Sequence, residues 1–154
     1  MYAVKRPSLE NIRFLWYFMS QWIFRDYLTE RGENVIRQWL DSLPKQARVK
    51  IDYRILLLQG IDRWPEQYVS ALRGCDDIYE LRIVANGVQY RPLGCYGPAR
   101  GEFTLLLGAI EKGKKLPRST CETASQRRVI VLANRGRSRG HEFRERTTNS
   151  SISG

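Results

Sequence analysis

The sequence has few of the residues that build metal centres. It contains three cysteines, Cys75, Cys95 and Cys121, and a single histidine, His141. The cysteines are odd in number, widely spaced and without a CxxC pair, so we expect neither a zinc site nor another cofactor. This cysteine usage also favours a reduced, cytoplasmic setting.

Long hydrophobic runs are missing as well. The most apolar stretch, IRFLWYFMSQWIF at residues 12–24, is about half as long as a membrane-spanning helix and contains Arg13 and Gln21. No small-residue cleavage site follows it, as one would after a signal peptide. We therefore expect a cytoplasmic protein that makes no use of a membrane.

Acidic residues are few relative to basic ones. The 154 residues include 26 Lys and Arg against 16 Asp and Glu, which gives a net charge of +10. Such an excess favours a polyanionic partner, most often nucleic acid, although it can serve solubility alone. The length and the apolar fraction of 42% fit one globular domain with its own core.

The order of apolar patterns predicts an α+β fold. WIFRDYL (22–28) is typical of a strand, and the next two segments, 29–44 and 45–60, carry apolar residues at helical spacing around Pro44. IYELRIV and VQYRPLGCY flank Asn86-Gly87, a strong hairpin signal. EFTLLLGAI predicts a buried central strand, and a short helix is expected from about Ser119 to Asn134. We expect an antiparallel sheet with the helices packed on one face, among them a helical hairpin formed by the two segments around Pro44.

The two ends of the chain differ from the middle. We expect one domain over residues 19–134, with residues 1–18 either an appendage or a wrongly assigned start, because Met19 directly precedes the first strand segment. Residues 135–154 are basic, polar and rich in Gly and Ser, which predicts a disordered tail.

Two arginines fall on the predicted hairpin. If Asn86 and Gly87 are the turn positions, Arg82 lies opposite Arg91. Like charges at such positions destabilise a hairpin unless something neutralises them. Either an anion such as a nucleic-acid phosphate bridges them, or Glu80, on the same strand face as Arg82, forms an ordinary surface ion pair.

A basic loop follows the predicted central strand. A loop on a rigid scaffold can present several cations to a phosphodiester, although a solubilising turn has the same composition. Tyr90 and Tyr96 could stack on bases or could simply pack within the sheet. The predicted RNA-binding residues are Lys114, Lys115, Arg118, Tyr90 and Tyr96.

The segments LRGCDDIYELRI, NGVQYRPLGCY and LLLGAIEKGKKLP, followed by a short helix, resemble the RelE/HigB-type toxins of type II toxin–antitoxin systems. The resemblance covers roughly residues 22–130 and is strongest to the phage-associated HigB-like branch. It implies a microbial-RNase-like fold and an endoribonuclease that cuts mRNA on the ribosome and inhibits translation. It also implies neutralisation by a cognate antitoxin, often a helix-turn-helix protein, through which alone the toxin would reach operator DNA.

By the resemblance, Arg82, Arg91 and Lys112 match the family's catalytic positions. Cleaving RNA through its own 2′-hydroxyl requires a base, cations for the transition state and a proton for the leaving oxygen, and no metal is implied. Some relatives carry a tyrosine where Thr120, Cys121 and Glu122 stand, so the base is not evident. The candidates for it are Glu80, Glu111, Glu122 or a lysine of lowered pKa.

Two other functions fit the same features. ParE-like toxins share the fold and bind DNA gyrase without cutting RNA. A basic RNA-binding module with a decayed active site would bind RNA in a salt-sensitive way and would not cleave it.

Overall fold

The computed structural model describes residues 21–144 of the chain. The expectations for residues 1–18 and for a start at Met19 lie outside these residues. The helices are α1 (Val35–Asp41), α2 (Lys45–Gln59) and α3 (Thr120–Ala133), with a short 3-10 helix at Arg135–Arg137. The strands are β1 (Ile23–Tyr27), β2 (Val69–Ala71), β3 (Tyr79–Leu81), β4 (Ile83–Ala85), β5 (Val88–Tyr96), β6 (Glu102–Glu111) and β7 (Ser138–Gly140).

The strands form one mixed sheet, in the order β2-β3-β5-β6-β1-β7, with β4 also paired to β5. The α+β class is confirmed, and so is the central position of β6. The expectation of a purely antiparallel sheet is wrong, because β1 runs parallel to β6. A parallel pair needs a long crossover connection, and the chain between these two strands supplies one.

The hairpin between β4 and β5 has the predicted register. Val84 pairs with Gln89, and both turn residues, Asn86 and Gly87, have positive φ, at 50° and 76°. The pairing with β5 is interrupted at Arg82, between β3 and β4. Both strands pair with β5 in the same register, which places Arg82 opposite Arg91. The break lies beside Pro92, which has no N–H to donate. Pro92 itself is inside β5, next to a register shift between Leu93 and Gly94.

Helices cover both faces of the sheet. The predicted hairpin, α1 and α2, packs on one face, where Leu40, Ile51 and Ile55 are fully buried. The expectation that all helices share one face is wrong for α3, whose Ala124 and Val131 pack with strand residues in a second cluster. A sheet buried on both faces fits the nearly continuous apolar run of β6.

The cysteines correct the expectation of a reduced chain. Cys75, in the segment before β3, forms a disulfide with Cys121 in the first turn of α3, with 5.7 Å between their Cα atoms. The two residues are 46 positions apart, so only the tertiary fold brings them together. Cys95 is a buried free thiol, and its burial raises its pKa to about 11.

The basic tail was predicted to be disordered, which is wrong for residues 135–144. β7 pairs antiparallel with β1, and the His141 side chain is fully buried between Asp26 and Asp52. Its ring nitrogens lie 2.8 Å from a carboxylate oxygen of each aspartate. Burial alone lowers the pKa of His141, but the two carboxylates outweigh it and raise that pKa to about 9. Residues 145–154 lie outside the described part of the chain.

Within residues 21–144, no helix combines the length and the apolar character that crossing a bilayer requires.

Candidate nucleic-acid site

The basic loop after β6 is a tight turn built from Lys112, Gly113, Lys114 and Lys115. The backbone N–H of Lys112 donates to the carbonyl of Lys115 at 2.9 Å, and the reverse bond measures 3.0 Å. Gly113 and Lys114 have φ of 57° and 63°. For a lysine this conformation costs roughly 1 kcal/mol, and such strain is often found at functional sites. The turn holds three lysines exposed at the end of the central strand.

Two open cavities meet beside this turn. One has a volume of about 760 Å³ and the other about 650 Å³, and Arg82, Glu111 and Lys114 line both. We call the combined feature the basic cleft. Its charged lining residues are Glu66, Arg73, Glu80, Arg82, Arg91, Glu111, Lys112, Lys114, Lys115 and Arg118.

Arg82 is the exposed arginine of the cleft, with 45% of its side chain accessible. The fold fixes its backbone, because its N–H donates to the carbonyl of Tyr68 at 2.9 Å. Its own carbonyl accepts a hydrogen bond from Arg54 at 2.8 Å. The guanidinium of Arg54 in turn lies 4.0 Å from the centre of the Tyr68 ring. A fixed backbone with an exposed guanidinium suits contact with a phosphate.

Arg91, in contrast, is only 5% exposed and contacts two carboxylates. Its guanidinium lies 2.8 Å from a carboxylate oxygen of Glu111 and 3.9 Å from one of Glu80, and it donates to the side chain of Gln89 at 2.6 Å. The other Glu80 oxygen lies 3.5 Å from Nε of Arg82. Glu80 therefore lies between the two arginines and contacts both of them. Arg91 therefore positions carboxylates rather than offering an open phosphate clamp.

Two of the three carboxylates predicted as a general base line the cleft. The side chains of Glu80 and Glu111 are 14% and 20% exposed, and both are held by Arg91 at the wall of the cleft. Glu122 lies in the first turn of α3, is exposed, and lines neither cavity. Of the three carboxylates predicted from the sequence, Glu80 and Glu111 therefore lie in the cleft.

The two tyrosines do not occupy the cleft. Tyr90 is 4% exposed and packs in the core beneath Trp39, so neither face of its ring is open to a base. Tyr96 is 41% exposed, but it packs with Trp22 and Trp64 at the other end of β5. It lies five residues beyond Arg91, or roughly 16 Å along an extended strand. Their positions do not support the stacking predicted for either ring.

Sequence reasoning missed two residues near the cleft. Arg73 lines the smaller of its two cavities, and Trp39 lines a third cavity that shares Lys115, Leu116 and Pro117 with it. Trp39 falls on the apolar stripe of α1, where helical spacing indicates core packing and nothing marks it as a cleft residue.

These features define a class of protein: a small basic α+β domain with a cationic cleft in which a buried arginine contacts two carboxylates, Glu80 and Glu111. A family model, Phage derived protein Gp49-like (DUF891), matches residues 38–129, which is more than half of the chain. The chain therefore belongs to the Gp49-like family. This is a family of toxin–antitoxin toxins of the RelE-like kind, derived from phage. A search of the curated proteins found no match.

The matched segment contains the whole basic cleft. It includes Arg82, Glu111 and the lysine turn, and it also includes Trp39. β1 and β7 lie outside the match.

Proposed function

We propose that this toxin is an endoribonuclease that cleaves mRNA in the basic cleft. The observation that supports this most is the juxtaposition of exposed Arg82 and Lys114 with the carboxylates of Glu80 and Glu111 in one open cleft. Cations bind and stabilise a phosphodiester, and a carboxylate beside them can accept a proton. The lysine turn and Arg118 extend the cationic surface along the path of a single strand.

The proposed reaction is an internal transesterification of RNA. Glu80 or Glu111 removes the proton of a ribose 2′-hydroxyl, and the 2′-oxygen attacks the adjacent phosphorus. The bond from phosphorus to the 5′-oxygen breaks, and this oxygen takes a proton from an ammonium of the lysine turn. The products are a 2′,3′-cyclic phosphate and a 5′-hydroxyl, so the atoms balance without a further reactant.

Each cleft residue then has a role that follows from its surroundings. Arg82 and Lys114 neutralise the charge that develops on the phosphate oxygens, a contribution of about 3 kcal/mol for one well-placed donor. Arg91 keeps Glu80 and Glu111 oriented at the cleft wall. Lys112 lies at the start of the turn and contacts the RNA backbone on one side of the scissile bond.

The setting of this reaction is the one the family suggests. A cognate antitoxin is the partner of a toxin in such a system. We propose that the substrate is mRNA on the ribosome, because alignment by the ribosome supplies orientation that two partly neutralised carboxylates do not. We also propose that the antitoxin is a DNA-binding protein and that the toxin is closest to the HigB-like branch.

Induced expression in bacterial cells tests the proposal. The wild-type protein should arrest growth and cleave mRNA at new internal sites, and Arg82→Ala should reduce both by about a hundredfold. Arg31→Ala, an exposed cation outside the cleft, is the matched control and should behave as the wild type.

Three results would contradict the proposal. Unchanged mRNA cleavage by Arg82→Ala would show that the reaction does not take place in the basic cleft. Salt-sensitive RNA binding without cleavage would identify a non-catalytic module, and gyrase-dependent DNA damage without mRNA loss would identify a ParE-like toxin.

A further inference from the structure

A third cavity, of about 460 Å³, lies beside the basic cleft. It is lined by Trp39, Gly108, Ala109, Ile110, Lys112, Lys115, Leu116 and Pro117. The lining contains one half-buried indole, several aliphatic side chains and two lysines, and no acidic residue. This combination suits a ligand with a flat apolar part and an anionic part.

The strand places the aromatic and the cationic groups in a row. Gly108 and Ile110 share one sheet face of β6, and Lys112 follows directly after the strand in the same alternation. The indole of Trp39 lies directly on Gly108, because a Cβ added there would come within 1.8 Å of the ring. The missing side chain therefore allows the ring to lie against the strand, two residues from Ile110 and four from Lys112.

The lysine turn closes the other side of this cavity. Lys115, Leu116 and Pro117 line both the cavity and the basic cleft, and Lys112 connects it to the cleft's other half. A strand of RNA whose phosphate lies against the turn would thus have an adjacent nucleotide at Trp39. Stacking of a base on an aromatic ring is a general device for binding single strands.

We propose that this cavity is a nucleobase subsite in which Trp39 stacks on a base while Lys112 and Lys115 hold its phosphate. The inference rests on the proposed function, since it assigns a base-binding position to the same RNA path. The ligand class is a single-stranded ribonucleotide segment, recognised by its π-face and its phosphate.

Binding of a 2′-O-methyl RNA tests this subsite separately from cleavage, because such an RNA lacks the attacking hydroxyl. The probes are a single strand of about six nucleotides and a matched strand with abasic sugars at every position. The base-bearing strand should quench tryptophan fluorescence, and the abasic strand should not.

Two variants decide the outcome. Trp39→Phe keeps a stacking ring, so it should lose the quenching while its affinity stays within about threefold of the wild type. Trp39→Ala should bind the base-bearing strand about tenfold more weakly and the abasic strand unchanged. Arg31→Ala should match the wild type in both assays. If Trp39→Ala does not fold, the subsite is tested by Trp39→Phe alone, through the loss or persistence of fluorescence quenching by the base-bearing strand.

Quenching that persists in Trp39→Phe would overturn the subsite, and so would a wild-type protein that binds the two strands equally. The nuclease proposal can fail independently of the subsite proposal. If the wild type shows base-dependent quenching but never cuts unmodified RNA, the subsite stands and the catalytic proposal falls.

Discussion

Arg82 lies in the break between β3 and β4, opposite Arg91 of β5, and the surroundings of the two arginines differ. Arg82 is nearly half exposed and touches one glutamate, whereas Arg91 is buried against two. An exposed ion pair contributes little to stability, and a buried one leaves a costly unpaired charge when one partner is removed. The exposure of Arg82 therefore suits the phosphate contact that we propose for it, whereas the burial of Arg91 suits a structural role.

Arg91→Ala should lower the free energy of unfolding by about 3 kcal/mol, because Glu80 and Glu111 would lose their shared partner. Arg82→Ala should lower it by less than about 1 kcal/mol. Urea unfolding followed by circular dichroism measures both. Equal losses for the two variants would contradict the separation of roles.

Gly108 is the residue on which the position of Trp39 depends. Gly108→Ala should destabilise the protein by about 1–3 kcal/mol, since the new Cβ would overlap the indole and force it to move. Gly140→Ala is the control, because that strand glycine has open space at its Cβ position. Thermal unfolding midpoints provide the comparison, and a shift no larger for Gly108→Ala than for Gly140→Ala would refute this account of the packing.

Among the elements, α3 is joined to the segment before β3 by the disulfide. Cys75→Ser with Cys121→Ser should cost roughly 3–4 kcal/mol of unfolding free energy, the amount expected for a closed loop of this length. Reducing agent should have the same effect on the wild type and none on the double variant. Thiol titration of the denatured protein should find one free thiol, that of Cys95, and three would show that the bond is absent.

The elements also show which parts of the fold could be predicted from sequence. The helical hairpin, the β4–β5 turn and α3 depend on local periodicity and on Asn86-Gly87, so their signals lie within a few residues. The parallel pairing of β1 with β6 and the docking of β7 depend on contacts between distant segments, which local patterns do not reveal. β2 has only three residues, too few for an alternating pattern.

The site was predictable to a similar extent. The register placed Arg82 opposite Arg91, and the lysine turn was visible in EKGKKLP. The burial of Arg91 was not visible, because it depends on Glu111 from the neighbouring strand β6. The tyrosines were assigned to the cleft without knowledge of which sheet face and which end of β5 they occupy.

For the whole molecule, His141 connects the C-terminal segment to the sheet and to α2. Its carboxylate partners are Asp26 of β1 and Asp52 of α2, and Arg37 of α1 lies 3.8 Å from Asp52. A charged histidine between two buried carboxylates stabilises the fold only while it stays protonated. Stability should therefore depend on pH in a range where few other groups titrate.

The pKa of His141 is about 9 in the folded protein and near 6.5 in the unfolded chain. Because the folded value is the higher one, its contribution of about 3 kcal/mol is complete below pH 6.5 and is lost as the pH rises through 9. The free energy of unfolding should thus fall between these pH values in the wild type and stay level in His141→Gln. The same slope in both proteins would contradict the assignment.

The most direct test of the central claim is the chemistry of the RNA ends that the purified protein produces. Wild-type protein, incubated with mRNA and ribosomes, should leave a 2′,3′-cyclic phosphate and a 5′-hydroxyl at each cut. Arg82→Ala should leave the mRNA essentially intact, and Arg31→Ala should cut it as the wild type does. Intact mRNA with the wild-type protein, or equal cutting by Arg82→Ala, would contradict an endoribonuclease that works in the basic cleft.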